Sequence, residues 1–165
     1  MKYLFCIVLI LAGVLFRMVP HAPNFTPMLT IALMSGLYFK NKFSILLPIG
    51  IMLISDLFIG SHAILPWIYF SFLIIYFLGR LIKDNSLHVL LGSIGGSILF
   101  FIISNFGVWI NGGYTYSIEG LVTCYMMAVP FFKNTLISTV LFSGIFYSIH
   151  HLFRLLSFRY QESQT

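Results

Sequence analysis

Six stretches of nearly unbroken apolar residues, each closed by a charged, polar or helix-breaking residue, leave this chain little choice of fold. They run about 3–19, 27–39, 43–60, 66–82, 87–110 and 131–153. A segment surrounded by hydrocarbon must satisfy its own backbone N–H and C=O groups, so each stretch is expected to be an α-helix. With 59% hydrophobic and 8% charged residues, 18 of 165 being phenylalanine, and a mean hydropathy of +1.00, the chain lacks the polar surface to coat a water-soluble domain. At about 20 residues per crossing, the length accommodates six spans and little else. The expectation is an all-α, polytopic membrane protein with six transmembrane helices in a single domain over residues 1–165.

Lys2 followed by the apolar run Tyr3 to Phe16 has the outline of a signal peptide, but no A-x-A site follows and Arg17 closes the run. It reads as an uncleaved first helix. With the N-terminus in the cytoplasm, that side collects Lys2, Lys40, Lys42, Arg80, Lys83, Arg154 and Arg159, seven of the nine basic residues. Six crossings return the C-terminus, with its polar tail Gln161 to Thr165, to the same side. The second stretch is short for a bilayer, and Pro27 at its start suits a first-turn position where the missing N–H costs nothing, so that helix is expected to be recessed or tilted. Asn111 to Gly120 reads as a turn-rich external loop, and Leu121 to Val129 as a short interfacial helix before Pro130.

Several function classes drop out on composition. The net charge of +5 comes from basic residues placed singly, without the cluster that nucleic acid needs. Cys6 and Cys124 are distant and form no CxxC, so redox and zinc chemistry are not indicated, and the adjacent pair His150-His151 supplies too few ligands for a metal. Gly92-Ser93-Ile94-Gly95-Gly96-Ser97 lies inside an apolar helix with no lysine after it and fits small-xxx-small helix packing, as do Ala32 and Gly36. There is no HExxH and no GxS-type elbow, and the chain has four acidic residues in all. No enzyme, cofactor or metal is expected.

The polar residues that remain converge on the outer leaflet. Arg17 ends the first helix, His21 and Asn24 follow in a proline-rich loop, Asp56 lies near the end of the third helix, and His62 comes in the loop after it. Asn105 and Trp109, four apart, share a face near the end of the fifth helix, and Lys133 and Asn134 begin the sixth. A carboxylate near a membrane boundary needs a basic partner or a water-filled cavity, and Arg17 and Lys133 are the partners available to Asp56. Two cations against one carboxylate leave a surplus positive charge, which suits a solute with an anionic group. These nine residues are the candidate lining of an outward pocket, with Trp109 stacking on a flat moiety and the amides setting orientation. The alternative is a structural or assembly protein whose polar cluster locks the helix bundle.

Four motifs in order, R-x-x-P-H-x-P-N-F-T-P at Arg17 to Pro27, Ser55-Asp56 with Gly60-Ser61-His62, Ser104-Asn105-Phe106-x-x-Trp109, and Pro130-Phe131-Phe132-Lys133-Asn134-Thr135, resemble an uncharacterised family of small bacterial integral membrane proteins. In size, helix count and terminal placement the chain is also similar to the substrate-binding S-components of energy-coupling factor transporters. That likeness implies a multi-pass protein of the bacterial inner membrane whose first external loop covers a site for a vitamin-like solute, with an energising transport module as partner. The Ala-x-x-x-Ala docking pattern typical of those components is absent from the first helix, where Ala12-Gly13 stands instead, with Ala32-x-x-x-Gly36 on the second.

Overall fold

A computed structural model describes residues 2–39, 41–60 and 62–162. Lys40, Ser61 and the terminal Ser163-Gln164-Thr165, which figure in the charge and motif readings, lie outside the described residues. The protein is all-helical, with no strand among the described residues: α1 (Lys2–Met18), α2 (Met28–Tyr38), α3 (Leu46–Ile59), α4 (Leu65–Leu81), α5 (Ser86–Val108) and α6 (Ile118–Glu162). A single 3-10 turn, Lys42–Ile45, leads into α3, and a π turn, Trp109–Gly113, ends α5. Two helical stretches, residues 86–113 and 118–159, are long and apolar enough to cross a membrane, and the other four are apolar helices of 10–17 residues.

Helix ends follow local chemistry. Asn85 caps α5, its side chain accepting from the His88 N–H at 2.8 Å. Ser117 begins α6 by accepting from the Gly120 N–H at 3.1 Å, with Glu119 in the first turn where a negative charge favours the helix dipole. Pro27 stands just before α2 and offers its carbonyl to the Ile31 N–H at 2.8 Å.

The last helix differs from the sequence expectation. Instead of a loop to residue 120, a short helix over 121–129 and a separate span over 131–153, one helix runs from Ile118 to Glu162 with Pro130 inside it. Proline removes one i to i−4 hydrogen bond and bends a helix, but in a packed bundle that loss need not end it.

α2 is the post around which the rest is built. It is 11 residues long, about 16 Å, and every residue from Met28 to Gly36 is buried. α4 crosses it at a distance that excludes side chains: a Cβ on Gly36 would strike the Tyr76 carbonyl, and one on Gly79 would strike the Leu33 carbonyl. Gly92 and Gly96 of α5 lie less tightly, against the side chains of Ile82 and Leu33 and of Ile75, so the small residues serve close helix packing most strictly at the α2 and α4 crossing.

Three helices also share a buried hydroxyl relay. Ser93 Oγ donates to Ser143 Oγ at 2.7 Å, and Ser143 Oγ lies 3.2 Å from Thr30 Oγ1, which donates to the Thr139 carbonyl at 3.0 Å.

Candidate functional site

The polar residues collect at the end of the bundle formed by the C-termini of α1, α3 and α5 and the N-termini of α2 and α4. Met52, Ser55 and Asp56 lie three and four apart on α3, so they share one face, and that face meets the last turn of α1. There Arg17 donates through Nη2 to Asp56 Oδ1 and through Nε to Ser55 Oγ, while Nη1 lies 2.7 Å from Met52 Sδ. Tyr69 on α4 donates its hydroxyl to Asp56 Oδ2 at 2.7 Å. The pair is poorly solvated, with the Arg17 side chain 15% and the Asp56 side chain 9% exposed. Charge is thus balanced within the cluster, and three helices are tied by it.

Arg17 is also part of a cavity of about 340 Å³, bordered by His21, Asn24 and Thr26 from the proline loop, Met52 from α3, His62 from the next loop, Ile68 and Phe72 from α4, and Phe100 from α5. Asp56 does not line it; its carboxylate acts on the cavity through Arg17. A second cavity of about 340 Å³ lies between α5 and α6, where Ser104, Asn105 and Cys124 interrupt a wall of Phe101, Met127, Phe131 and Phe132. Asn24, Ile68 and Phe100 belong to both linings, so the two spaces share a partition of one amide, one aliphatic and one aromatic side chain. Each falls within the size range of small-molecule pockets, about 300–1,000 Å³.

The proline loop forms the lid of this arrangement and is held from two directions. The Phe25 N–H donates to the Ala22 carbonyl at 3.0 Å and the Thr26 N–H to the Asn24 carbonyl at 3.1 Å. From α6, Asn134 Nδ2 donates to the Pro23 carbonyl at 3.0 Å. Asn24 has a φ of 62°, a left-handed backbone that asparagine tolerates better than most residues.

Of the nine candidate residues, Arg17, His21, Asn24 and His62 line the first cavity, and Asn24 and Asn105 line the second. Asp56 pairs with Arg17, and Asn134 anchors the loop. Lys133 and Trp109 line neither cavity. Lys133 is exposed on α6. Trp109 donates Nε1 to the Thr115 carbonyl at 3.0 Å and packs edge-on against Tyr116, because the π turn that begins at Trp109 redirects the end of α5. With Lys133 outside, the surplus of cations inferred from the sequence reduces to an Arg17 already matched by Asp56.

Sequence reasoning passed over Tyr69, Phe100 and Ile68. Tyr69 reaches Asp56 across a helix turnaround, and no spacing in the chain encodes that contact. A further cavity of about 450 Å³, between α1, the 3-10 turn and α3, is mostly apolar, with Asn41 and Ser44 the polar side chains and no charged one among the described residues that line it.

No curated protein and no solved structure matches this chain. The chain belongs to a family of unknown function (DUF6580), which matches residues 1–162.

Proposed function

We propose that the protein is a six-span membrane protein that captures a small solute in the paired cavities beneath the proline loop. The observation that carries this reading is the shared partition: two pocket-sized spaces, one bordered by guanidinium and imidazoles and the other by aromatics and an amide, meet at Asn24, Ile68 and Phe100. A bundle that needed only to pack would fill such space with side chains, since protein interiors pack like organic crystals. The arrangement suits an elongated molecule with a polar, hydrogen-bonding end among Arg17, His21 and His62 and a flatter, less polar end against Phe101 and Phe131. Capture from the outer face in the manner of an S-component, and delivery through an energising partner, are parts of the same proposal.

The membrane placement is supported by the outer surface. Leu57, Phe58 and Leu81 are 83%, 73% and 81% exposed, and apolar exposure on this scale marks a lipid-facing surface or an interface. The basic residues Arg80, Lys83, Arg154 and Arg159 gather at the end opposite the cavities, consistent with a cytoplasmic side. The helices with fewer than 18 residues cross by tilting, by local bilayer thinning or, for α2, by lying inside the bundle.

A thermal-shift screen of the purified protein against vitamins, their precursors and small carboxylates tests the reading. One compound is expected to raise the melting temperature by mass action. Asn24→Gly is the informative variant, because glycine accepts the φ of 62° while removing the amide that both cavities share. It is expected to melt like the wild type and to lose at least tenfold in affinity. Undiminished binding in Asn24→Gly, or a library without a single stabilising compound, would sink the proposal.

A second reading rests on a different observation. The network of Arg17, Ser55, Asp56 and Tyr69 ties α1, α3 and α4 together, as a structural or assembly membrane protein requires. Under it, Asp56→Asn lowers thermal stability and no added compound restores it.

A further inference from the structure

At the end of the bundle remote from the two cavities, the structure brings a third metal-ligating side chain to the adjacent histidines of α6. Asp84, in the short turn between α4 and α5, lies beside His150 and His151, and one donor atom from each of the three falls within 4.8 Å of the others. We propose that Asp84, His150 and His151 form a site for a divalent transition metal of the zinc class. The proposal does not depend on the solute cavities.

The geometry of Asp84 points the same way. His151 Nε2 lies 3.4 Å from Asp84 Oδ1, longer than a charge-assisted hydrogen bond, about 2.7–2.9 Å. Two ligands on a tetrahedral ion with bonds of about 2.1 Å stand about 3.4 Å apart. The pair is thus already spaced as co-ligands, and the wider pairs, within 4.8 Å, need to close by at most about 1.4 Å to meet the same edge length. Two imidazoles and one carboxylate leave a fourth position for water, and imidazole-rich sites favour zinc, copper and nickel over calcium or magnesium.

An independent observation concerns His150. Its Nδ1 is buried and has no hydrogen-bond partner, the one such buried side-chain nitrogen or oxygen among the described residues. The ring is held in place by stacking on Tyr38, with centroids 3.6 Å apart and planes inclined by 21°, and by the edge of Phe5 at 5.1 Å. A ring fixed on both sides with one nitrogen unmatched is a pre-oriented ligand.

The surrounding groups have compatible roles. Arg154 Nη1 donates to Asp84 Oδ2 at 3.2 Å, which leaves Oδ1 for the ion and makes the carboxylate a one-oxygen ligand. Tyr38 donates its hydroxyl to that same Oδ1 at 3.1 Å. It orients the carboxylate from outside, as the hydrogen-bond partners behind metal ligands do. The neighbouring guanidinium opposes a dication, so the affinity expected is micromolar and not the tighter binding of an all-protein structural zinc site.

The test uses the full-length protein in detergent, treated with a chelator and then titrated with Zn²⁺ by calorimetry. One Zn²⁺ per chain is expected. Asp84→Asn and His151→Gln, both at solvent-accessible positions, are each expected to weaken binding at least tenfold, with metal-free melting temperatures close to wild type. His88→Gln, on the neighbouring turn of α5, is the control and is expected to bind like wild type. Co²⁺ in place of Zn²⁺ is expected to give the visible d–d bands of a four-coordinate ion, absent in Asp84→Asn. Failure of the wild type to bind Zn²⁺ below 100 µM, on the order of 5.5 kcal/mol of binding free energy, would overturn the assignment. So would unchanged binding in Asp84→Asn and His151→Gln.

Discussion

Gly36 and Gly79 face one another across the crossing of α2 and α4, each lying against a carbonyl of the opposite helix, Tyr76 for Gly36 and Leu33 for Gly79. This close approach seats the short, wholly buried α2 in the middle of the bundle. The N-terminus of α2 and the loop before it then come to stand under the ends of α1, α3 and α5, where the cavities are.

That contact gives a sharp expectation. Gly79→Ala puts a methyl group into the Leu33 backbone, and backbone is harder to displace than a flexible side chain. The loss of stability is expected to be about 1–3 kcal/mol or more, read as a lower unfolding midpoint in detergent. Gly144→Ala, at a position where an added Cβ would meet no heavy atom within 4 Å, is expected to be neutral or slightly stabilising through helix propensity. Equal effects of the two substitutions would contradict the crossing.

For the Arg17 and Asp56 pair, removing one partner is worse than removing both. Arg17→Ala leaves a poorly solvated carboxylate, 9% exposed in the intact pair, with the Tyr69 hydroxyl but no cation against it, and truncating one member of such a pair costs about 3–5 kcal/mol. The double variant Arg17→Ala/Asp56→Ala is expected to be more stable than Arg17→Ala. A thermodynamic cycle from chemical denaturation of the four proteins measures the coupling, and additive losses would show that the pair contributes nothing jointly.

Ser143 is buried, yet its replacement should be mild. The Val89 carbonyl, 2.7 Å away, is an alternative acceptor for the single Ser93 hydroxyl proton, and Thr30 donates to the Thr139 carbonyl at 3.0 Å, so neither hydroxyl is stranded in Ser143→Ala. Hydroxyl contacts between helices in membrane proteins average about 0.6 kcal/mol, and a loss near that value is expected in the same denaturation assay. A loss several times larger would mean that the relay acts cooperatively.

Asn134 controls the lid and not the bundle. Asn134→Ala breaks its bond to the Pro23 carbonyl, an exposed contact worth about 0.5–1.5 kcal/mol. Global stability is expected to change little, while hydrogen exchange of the amides of Asn24, Phe25 and Thr26 rises. If exchange across the loop is unaltered, the loop is held by its own turn bonds and by the burial of Pro27.

The helices themselves were legible in the sequence, because Lys40, the Lys83 to Asn85 turn and the proline loop interrupt apolar runs that have no other way to satisfy their backbone. The course of α6 was not. Pro130 reads locally as a stop, and Ser117 with Glu119 marks a start that the turn-rich residues before it obscure. The centrality of α2 was hidden for a related reason: a helix that is apolar all round signals burial in a soluble protein, but here α3, α4 and α5 are as apolar as α2 and the signal loses its contrast. Because charges are scarce, the sequence narrowed the partner of Asp56 to Arg17 or Lys133, and the tertiary structure selects Arg17. Tyr69, and the approach of Asp84 to His150 and His151, could not be read there, since they depend on which helices become neighbours.

The sequence by itself determined that this chain is helical and where its polar groups lie along each helix, because long apolar runs with few polar side chains satisfy their backbone hydrogen bonds within the segment. Tertiary structure alone decided which of those groups meet. Glycines at the α2 and α4 crossing, a π turn after α5 and a continuous α6 set the distances between elements, and those distances turn Asn24 into a shared wall, leave Lys133 outside, and bring Asp84 beside the two histidines.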